Sequence, residues 1–236
     1  MKSQMISKWP KQLPNLSAEQ LKIKDDFMKY WHEVLPKKYG AVEKFNHGYP
    51  AGVRKNRTHI TTLEIGAGIG EHLNYEDLNS QDYHVVELRE NMVDRLKDRF
   101  PKIHAAVGDC QTRLPYDDNT FDRVLAIHVL EHLPNLPAAL DEIYRVLKPD
   151  AQFTVVIPCE GGLAYSLARQ ISAKPIFEKR YQQSYDWFIK SEHINFPSEI
   201  LDELKRRYRK VSSHYFPLRV PLVNPNLCIG IDFTKS

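Results

Sequence analysis

Leu63-Glu64-Ile65-Gly66-Ala67-Gly68-Ile69-Gly70 is the stretch that decides the fold of this chain. Ile60, Thr61 and Thr62 lead into it, and residues 63–65 complete a first strand. Three glycines at alternate positions follow. Glu71-His72-Leu73 then opens a polar/apolar pattern that reads as a helix over about 70–79. Strand, tight turn and helix predict the ligand-binding edge of a parallel α/β sheet. Glycine reaches positive φ and lets a ligand lie against the backbone, and free N–H groups at a helix start face that ligand.

The acid two residues before Gly66 narrows the ligand. The spacing is E-x-G-x-G-x-G and not G-x-G-x-x-G, because Glu71 stands three after Gly68. A pyrophosphate here would meet the like charge of Glu64. Glu64 suits a ligand with a cationic ammonium. S-adenosylmethionine (SAM) carries an ammonium, a carboxylate and a sulfonium, with no phosphate. Glu64, Gly66, Ala67, Gly68 and Gly70 are therefore candidate cofactor-binding residues for SAM, with a dinucleotide as the weaker alternative.

Residues 83–88 read as the second strand, which places Glu87 at its carboxyl end, 21 residues beyond Gly66. A parallel sheet presents an acid to ribose hydroxyls at that point, with Leu88 beside it. A helix over 91–100 and a third strand over 103–107 lead to Gly108-Asp109-Cys110. Asp109 can accept from an adenine amino group, and the Cys110 N–H can donate to a ring nitrogen. Residues 121–128 form an apolar fourth strand ending at His128, as a buried parallel strand should. A helix with Leu136, Ala139, Leu140, Ile143, Tyr144 and Leu147 on its inner face follows. Residues 152–157 make the fifth strand.

The ordered set of LEIGAGIG, VVELRE, GDCQTRLPYDDNTFD and HVLEHLPNLPAALDEIYRVLKPDAQFTVVIP resembles the class I SAM-dependent methyltransferases of the small-molecule type 11 family, over about residues 60–158. The resemblance implies that the glycine turn holds the methionine part of SAM, Glu87 the ribose, and Asp109 and its neighbour the adenine. It also implies that His128 lines the methionine end through its backbone. Ala151 stands where the family commonly has glycine. The implied fold is α/β: a Rossmann-like, seven-stranded, mostly parallel sheet with helices on both faces and an antiparallel last strand. Residues 211–217 and 227–233 supply its last two strands. An N-terminal helix and a cap inserted after strand five complete it.

Upstream, residues 1–16 carry Pro10 and Pro14 and read as a loose arm. Ser17 and Gln20 form a capping box. Leu21, Phe27, Met28, Trp31, Val34 and Leu35 share one helical stripe that Pro36 should stop. That helix either packs plainly or lids the cofactor with Tyr30, Trp31 or His32. Residues 36–58 read as a connection. The division expected is 1–58 as arm and lid helix and 59–236 as the SAM-binding domain, with the cap at about 159–195. The cap mixes Tyr165, Phe177, Tyr181, Tyr185, Trp187 and Phe188 with Arg169, Lys174, Lys179, Arg180 and Lys190. It leaves the carboxyl end of strand five, so it is read as the substrate cap; the alternative is a helical hairpin with its own small aromatic core. Ser198 should cap a helix to about 209. Its basic end, residues 205–210, reads as solvated, with nucleic acid or anionic lipid as the alternative.

A sulfonium is already an activated methyl donor, so the protein must chiefly align the acceptor and take a proton where the acceptor is a hydroxyl. Histidine is the natural base at neutral pH. His132, at the rim after strand four, and His193, at the end of the cap, are the catalytic candidates; Glu131 is a weaker one. No metal is expected, since no C-x-x-C pair suggests zinc. The N/D-P-P-Y/F pattern of DNA amino-methylating enzymes is absent, since the site reads His128-Val129-Leu130-Glu131. The expected partner is a small-molecule acceptor such as a sugar, a glycan-lipid or an aromatic hydroxyl, with no DNA and a homodimer left open. A non-catalytic SAM-binding regulatory or partner subunit is the alternative.

The 236 residues suit one decorated α/β domain. No apolar run approaches the roughly 18 residues of a membrane span, and the N-terminus lacks a signal-peptide core. Cys110, Cys159 and Cys228 are scattered and odd in number, which points to a reducing cytoplasm. The net charge of +3 conceals a basic first quarter, with 12 Lys/Arg against 5 Asp/Glu over residues 1–58.

Overall fold

The computed structural model describes residues 8–54 and 59–235, with the backbone alone over 32–38. Seven strands form one sheet: β1 (Ile60–Ile65), β2 (Gln81–Glu87), β3 (His104–Val107), β4 (Phe121–Ile127), β5 (Leu147–Pro158), β6 (Tyr208–Phe216) and β7 (Cys228–Lys235). Their order is β3-β2-β1-β4-β5-β7-β6. β1 to β5 pair in parallel, and β7 runs antiparallel between β5 and β6. The order reverses between β1 and β4, which opens a crevice at their carboxyl ends.

The two faces of the sheet differ in chemistry because side chains alternate along each strand. Leu63, Ile65, Val124, Ala126, Phe153 and Val155 line an apolar face. On it pack α4 (Leu136–Val146), through Ala139, Leu140 and Ile143, and α8 (Pro197–Arg207), through Ile200 and Leu204. The other face carries Val85 and Leu125, packed with Leu96 of α3 (Glu90–Arg99), and then a polar strip of Thr62, Glu64, Arg123, Thr154 and Asp232.

That polar strip explains two departures from the sequence expectation. No α-helix follows the glycine turn; residues 70–79 contain only a short 3-10 turn, His72–Tyr75. The side-chain amide of Asn74 donates to the Glu71 carbonyl at 3.1 Å, and the Asp77 carboxylate accepts from the Asn79 N–H at 3.0 Å. Both compete with helical bonds. The sheet is covered instead from the N-terminal side. Residues 36–58, expected as a connection, contain α2 (Gly40–Val53), with Gly48, Pro50 and Gly52 inside it. Tyr49 of α2 lies against Gly230 of β7, where a Cβ would sit 2.4 Å from the ring.

The first helix, α1 (Ala18–Lys38), is capped as expected: the Gln20 amide oxygen accepts from the Ser17 N–H at 2.9 Å. It runs past Pro36 and does not stop there. Leu21 stays exposed, and the side chains of Val34 and Leu35 lie outside the described residues. Phe27 is buried in a cluster with Phe177, Tyr185 and Phe188. These belong to the cap helices α6 (Ala173–Tyr181) and α7 (Tyr185–Glu192), which follow α5 (Leu163–Ile171). Most cap aromatics therefore form a small core closed by α1. The arm is tied down over its described part: the Lys11 ammonium donates to the Ile194 carbonyl and to Glu199, both at 2.7 Å. Residues 1–7 lie outside the described residues.

Helix α8 is capped by Phe196, two residues before the expected cap Ser198: Phe196 has extended geometry and the Glu199 carboxylate accepts from its N–H at 2.8 Å. Its basic end is paired locally, with Arg206 and Arg207 both on Glu203. No helix among the described residues is long and apolar enough to cross a membrane.

Candidate active site

The glycine turn leaves β1 with Gly66, Gly68 and Gly70 all at positive φ: 68°, 58° and 82°. Their surroundings differ. A Cβ on Gly66 would lie 2.7 Å from Val129 Cγ2, and one on Gly70 would lie 2.6 Å from the Phe100 ring. At Gly68 the nearest atom is Glu71 Oε2, 3.9 Å away. The turn is thus packed at both ends and open at its middle glycine, where a ligand can approach the backbone. Ala67 is buried in the core beneath.

Glu87 ends β2, 5% exposed. One carboxylate oxygen accepts from the Gly68 N–H at 3.1 Å, and the other from the Arg89 N–H and Nε, both at 3.2 Å. The predicted ribose acid and the predicted methionine turn are therefore in direct contact. Leu88 is exposed beside them. Asp109 holds the Gln111 N–H at 2.9 Å and the Gln111 amide. Cys110 is buried, which pushes its thiol up to about 12 and leaves its backbone as the group available to a ligand.

Glu64 is 2% exposed and accepts from the Tyr83 hydroxyl at 2.8 Å. Burial raises its pKa above the usual carboxylate range, against the opposing pull of His72 and the Tyr83 bond. Such a carboxyl gains most from a cation brought near it. Below it, Glu76 bonds Arg123 at 2.8 Å, His72 at 3.0 Å and Gln81 at 2.8 Å. Burial opposes its charge, but these partners hold its pKa at about 2.

The carboxyl end of β4 carries the second half of the site. His128 adopts φ 54°, and its N–H donates to the Val156 carbonyl at 2.9 Å. Its Nδ1 lies 3.0 Å from Glu131 Oε1. Burial works against the imidazolium, but contacts with Cys228 and Glu131 outweigh it and raise the His128 pKa. Burial likewise opposes the Glu131 carboxylate, and the hydrogen bond to His128 with the neighbouring His132 keeps it ionised.

His132 and His193, 61 residues apart in sequence, are neighbours with ring centroids 5.2 Å apart. The Glu131 carbonyl accepts from the Ile194 and Asn195 N–H groups at 3.0 Å, and the Asn195 amide donates to the Leu130 and Leu133 carbonyls at 2.8 Å. These bonds stitch the end of the cap to the turn after β4. His132 Nδ1 contacts the Glu192 carbonyl at 2.7 Å, and His193 Nδ1 contacts Glu160 Oε2 at 2.8 Å. Burial lowers the His132 pKa. Glu160 is held ionised against its burial by His193 and by Arg169, whose NH1 lies 2.6 Å from Oε2. Sequence reasoning missed Glu160 and Asn195. The signal available was their position, at the two ends of the cap.

Within the cap and its flanking turns lies a cleft of about 240 Å³ lined by Glu160, Arg169, Asp186, Ile189, Lys190, His193 and Phe196. Of the cap cations, Arg169 and Lys190 reach it. Arg180 instead pairs with Asp26 of α1.

This strand order, with a glycine turn leaving β1 and acids closing β2 and following β3, defines the class I methyltransferase fold. Within it, residues 63–155 match the family model described as a methyltransferase domain. The chain is similar to the sterol 24-C-methyltransferase of Schizosaccharomyces pombe, 35% identical over 102 residues that make up 39% of this chain and 26% of that protein. It is also similar to the sterol 4-C-methyltransferase of Caenorhabditis elegans, 33% identical over 139 residues, 53% of this chain and 40% of that one. The match thus spans less than half the length of either relative. Among solved structures, a TehB-like SAM-dependent methyltransferase from Corynebacterium glutamicum aligns with TM-score 0.61 at 16% identity, covering 92% of this chain and 100% of that one. The (4+2)-cyclase SpnF aligns with TM-score 0.67 at 14% identity, covering 96% and 99%. These two likenesses speak for the fold alone.

Proposed function

We propose that this chain transfers a methyl group from SAM to a small-molecule acceptor bound beneath the cap. The observation that carries the reading is the glycine turn, closed at Gly66 and Gly70, open at Gly68, and bonded through Gly68 to Glu87. The residues present fit the cofactor: Glu87 for the ribose hydroxyls, Asp109 and the Cys110 backbone for adenine, the turn and the His128 backbone for the methionine part. Glu64 supplies negative charge under the ammonium. SAM supplies an electrophilic methyl on a sulfonium that leaves as a neutral thioether.

The chain's own part is to orient and to exclude water. The N-terminal segment, residues 1–58, serves as arm and lid: α1 closes on the cap through Phe27. The remainder, 59–236, is the cofactor domain with the cap at about 159–195. Arg169 and Lys190 offer cationic contacts in the cleft, and Phe196 an apolar wall. For a hydroxyl acceptor, His193 is the better-placed base, since Glu160 fixes its ring and the cleft reaches it; His132 stands behind it. The buried, unpaired thiols of Cys110, Cys159 and Cys228 suit a reducing, cytoplasmic setting.

A second reading is SAM binding without methyl transfer, because the turn and its bond to Glu87 bear on binding and not on turnover. Calorimetry with SAM and with NAD tests the binding; NAD binding without SAM binding overturns it. Incubation with SAM and small-molecule extracts, read by mass spectrometry for the gain of one methylene mass, tests the transfer. SAM binding without any such product favours the second reading.

A further inference from the structure

The turn after β4 and the end of the cap bring Glu131, His132 and His193 together, with one ligand atom from each within 4.8 Å of the others. Two features separate this group from a chance gathering. The first is the state of the rings. His132 Nδ1 faces a backbone carbonyl and His193 Nδ1 a carboxylate, at 2.7 and 2.8 Å. Both oxygens only accept, so each Nδ1 carries a proton, and in the neutral ring Nε2 keeps its lone pair for a ligand. That is the arrangement in which histidines meet a metal: the outer nitrogen donates to a carbonyl or carboxylate and the inner one ligates. The second is Glu131 itself. It is fully buried; Oε1 is held by His128 and lies 3.9 Å from His132 Nε2, and Oε2 on the same carboxylate has no hydrogen-bond partner among the described residues. A buried carboxylate oxygen without a partner is costly unless something fills the place.

The other His/Asp group among the described residues shows the contrast. Asp82 already bonds His84 and His104 through its two oxygens at 3.1 Å, on the exposed edge of β2 and β3. It leaves no oxygen waiting.

We propose that Glu131, His132 and His193 hold a divalent transition-metal ion, with Glu160 and the Glu192 carbonyl as the outer partners of the two histidines. Two imidazoles and a carboxylate suit zinc and its first-row neighbours. With bonds of about 2.1 Å, tetrahedral ligands stand roughly 3.4 Å apart. Side-chain rotation of His132 and His193, both partly exposed, closes the remaining distance. Three protein ligands leave a fourth position open, the mark of a catalytic site and not a structural one, and His193 also lines the cleft.

This assignment rests on the SAM reading and deepens it: the acceptor is an oxygen nucleophile. Its hydroxyl takes the open position, and the metal lowers its pKa so that the proton leaves to solvent through the cleft. The oxygen lone pair then forms the carbon–oxygen bond as the carbon–sulfur bond breaks, and the thioether carries away the electron pair. His193 is in that case a ligand and not the base.

The test uses the full chain stripped with a chelator. Calorimetry with zinc chloride should give one equivalent bound, and cobalt(II) should give visible d–d absorption of a low-coordinate N/O site. His193→Ala and Glu131→Gln should each weaken zinc binding by at least about tenfold, and Glu160→Gln, which spares the ligands, by about 10–100-fold. Absence of metal binding by the wild type, or undiminished binding by His193→Ala, overturns the proposal. Should Glu131→Gln fail to fold by circular dichroism, the partly exposed His193 decides the matter alone. SAM calorimetry on the same samples keeps the two readings apart. SAM bound without zinc removes only the metal, and zinc bound without SAM removes only the methyl-transfer reading.

Discussion

Replacing Glu76 by glutamine tests the polar strip that stands where a helix was expected. Glu76 and Arg123 are each 1% exposed at the side chain and 2.8 Å apart. Glu76 also receives Gln81 and faces Arg54 at 3.2 Å. A carboxyl held near 2 in the fold, against 4.5 free, corresponds to about 3 kcal/mol of stability at neutral pH. Breaking a buried pair from one side costs about 3–5 kcal/mol by a separate route, because the partner charge is left uncompensated. The two figures agree. Since the folded pKa is depressed, this stability is complete above about pH 4.5 and lost as pH falls through about 2. Urea unfolding of wild type and Glu76→Gln at pH 7 should therefore differ by about 3 kcal/mol, and the gap should narrow progressively below pH 4.5. A gap under about 1 kcal/mol at pH 7, the level of a surface pair, would refute the reasoning. So would a gap that stayed constant down to pH 2.5.

The glycine turn yields a paired prediction. Gly68→Ala meets open space, so it should cost only about 1–2 kcal/mol of backbone strain yet weaken SAM binding at least tenfold; Gly66→Ala adds the Val129 clash and should unfold more easily. Thermal unfolding beside SAM calorimetry separates the two, and full SAM affinity in Gly68→Ala would move the cofactor elsewhere. Glu87→Ala should weaken SAM by about 10–100-fold, the worth of a charge-assisted hydrogen bond of about 1.5–3 kcal/mol. Arg89→Ala should leave affinity unchanged or tighten it by less than about fivefold, and a marked loss would make Arg89 a cofactor contact in its own right. Phe27→Ala opens the core shared by α1 and the cap, costing about 3–5 kcal/mol. It should raise the acceptor KM more than the SAM KM in steady-state assays. An equal effect on both would deny α1 its role as a lid.

Much of the sheet is legible in the sequence because its strands are rich in apolar and β-branched residues bounded by turn signals. The strands over 60–65, 83–88, 103–107 and 121–128 fall within one or two residues of β1 to β4. The ligand edge is legible for a different reason, since glycines and acids stand at fixed distances from strand ends. What fails is periodicity without context. Glu71-His72-Leu73 has a helical look, but Asn74 and Asp77 turn their side chains onto the backbone, His72 bonds the His47 carbonyl of α2, and Glu76 bonds Arg123. Residues 40–53 look like a loop because of three glycines and a proline. They fold as a helix because Tyr49 and Pro50 reach Gly230 and Arg123, contacts no local window contains. The Glu131, His132 and His193 group was half visible: the first two are adjacent in sequence, and only the return of the cap brings the third.

The missing helix also changes where the cofactor would be recognised. With a helix after the turn, several free N–H groups would point at the ligand. Here the turn is fixed by packing instead: Val129 against Gly66, Phe100 and Leu96 against Gly70, and the Arg99 guanidinium on the Ile69 carbonyl at 2.5 Å. Of the three glycines, only Gly68 faces open space, and its N–H is already spent on Glu87. On the proposed reading, recognition would fall on the Glu87 carboxylate, whose Oε2 bonds the turn while Oε1 is shared by the Arg89 N–H and Nε. Arg89 is 41% exposed, so its pair with Glu87 is worth at most about 1 kcal/mol. A ribose that offers two hydroxyls to Oε1 and its neighbour displaces that pair at small cost and leaves the turn undisturbed. The site is thus preorganised at the turn and yielding at Arg89, so cofactor entry would require one exposed side chain to move and no rearrangement of the backbone.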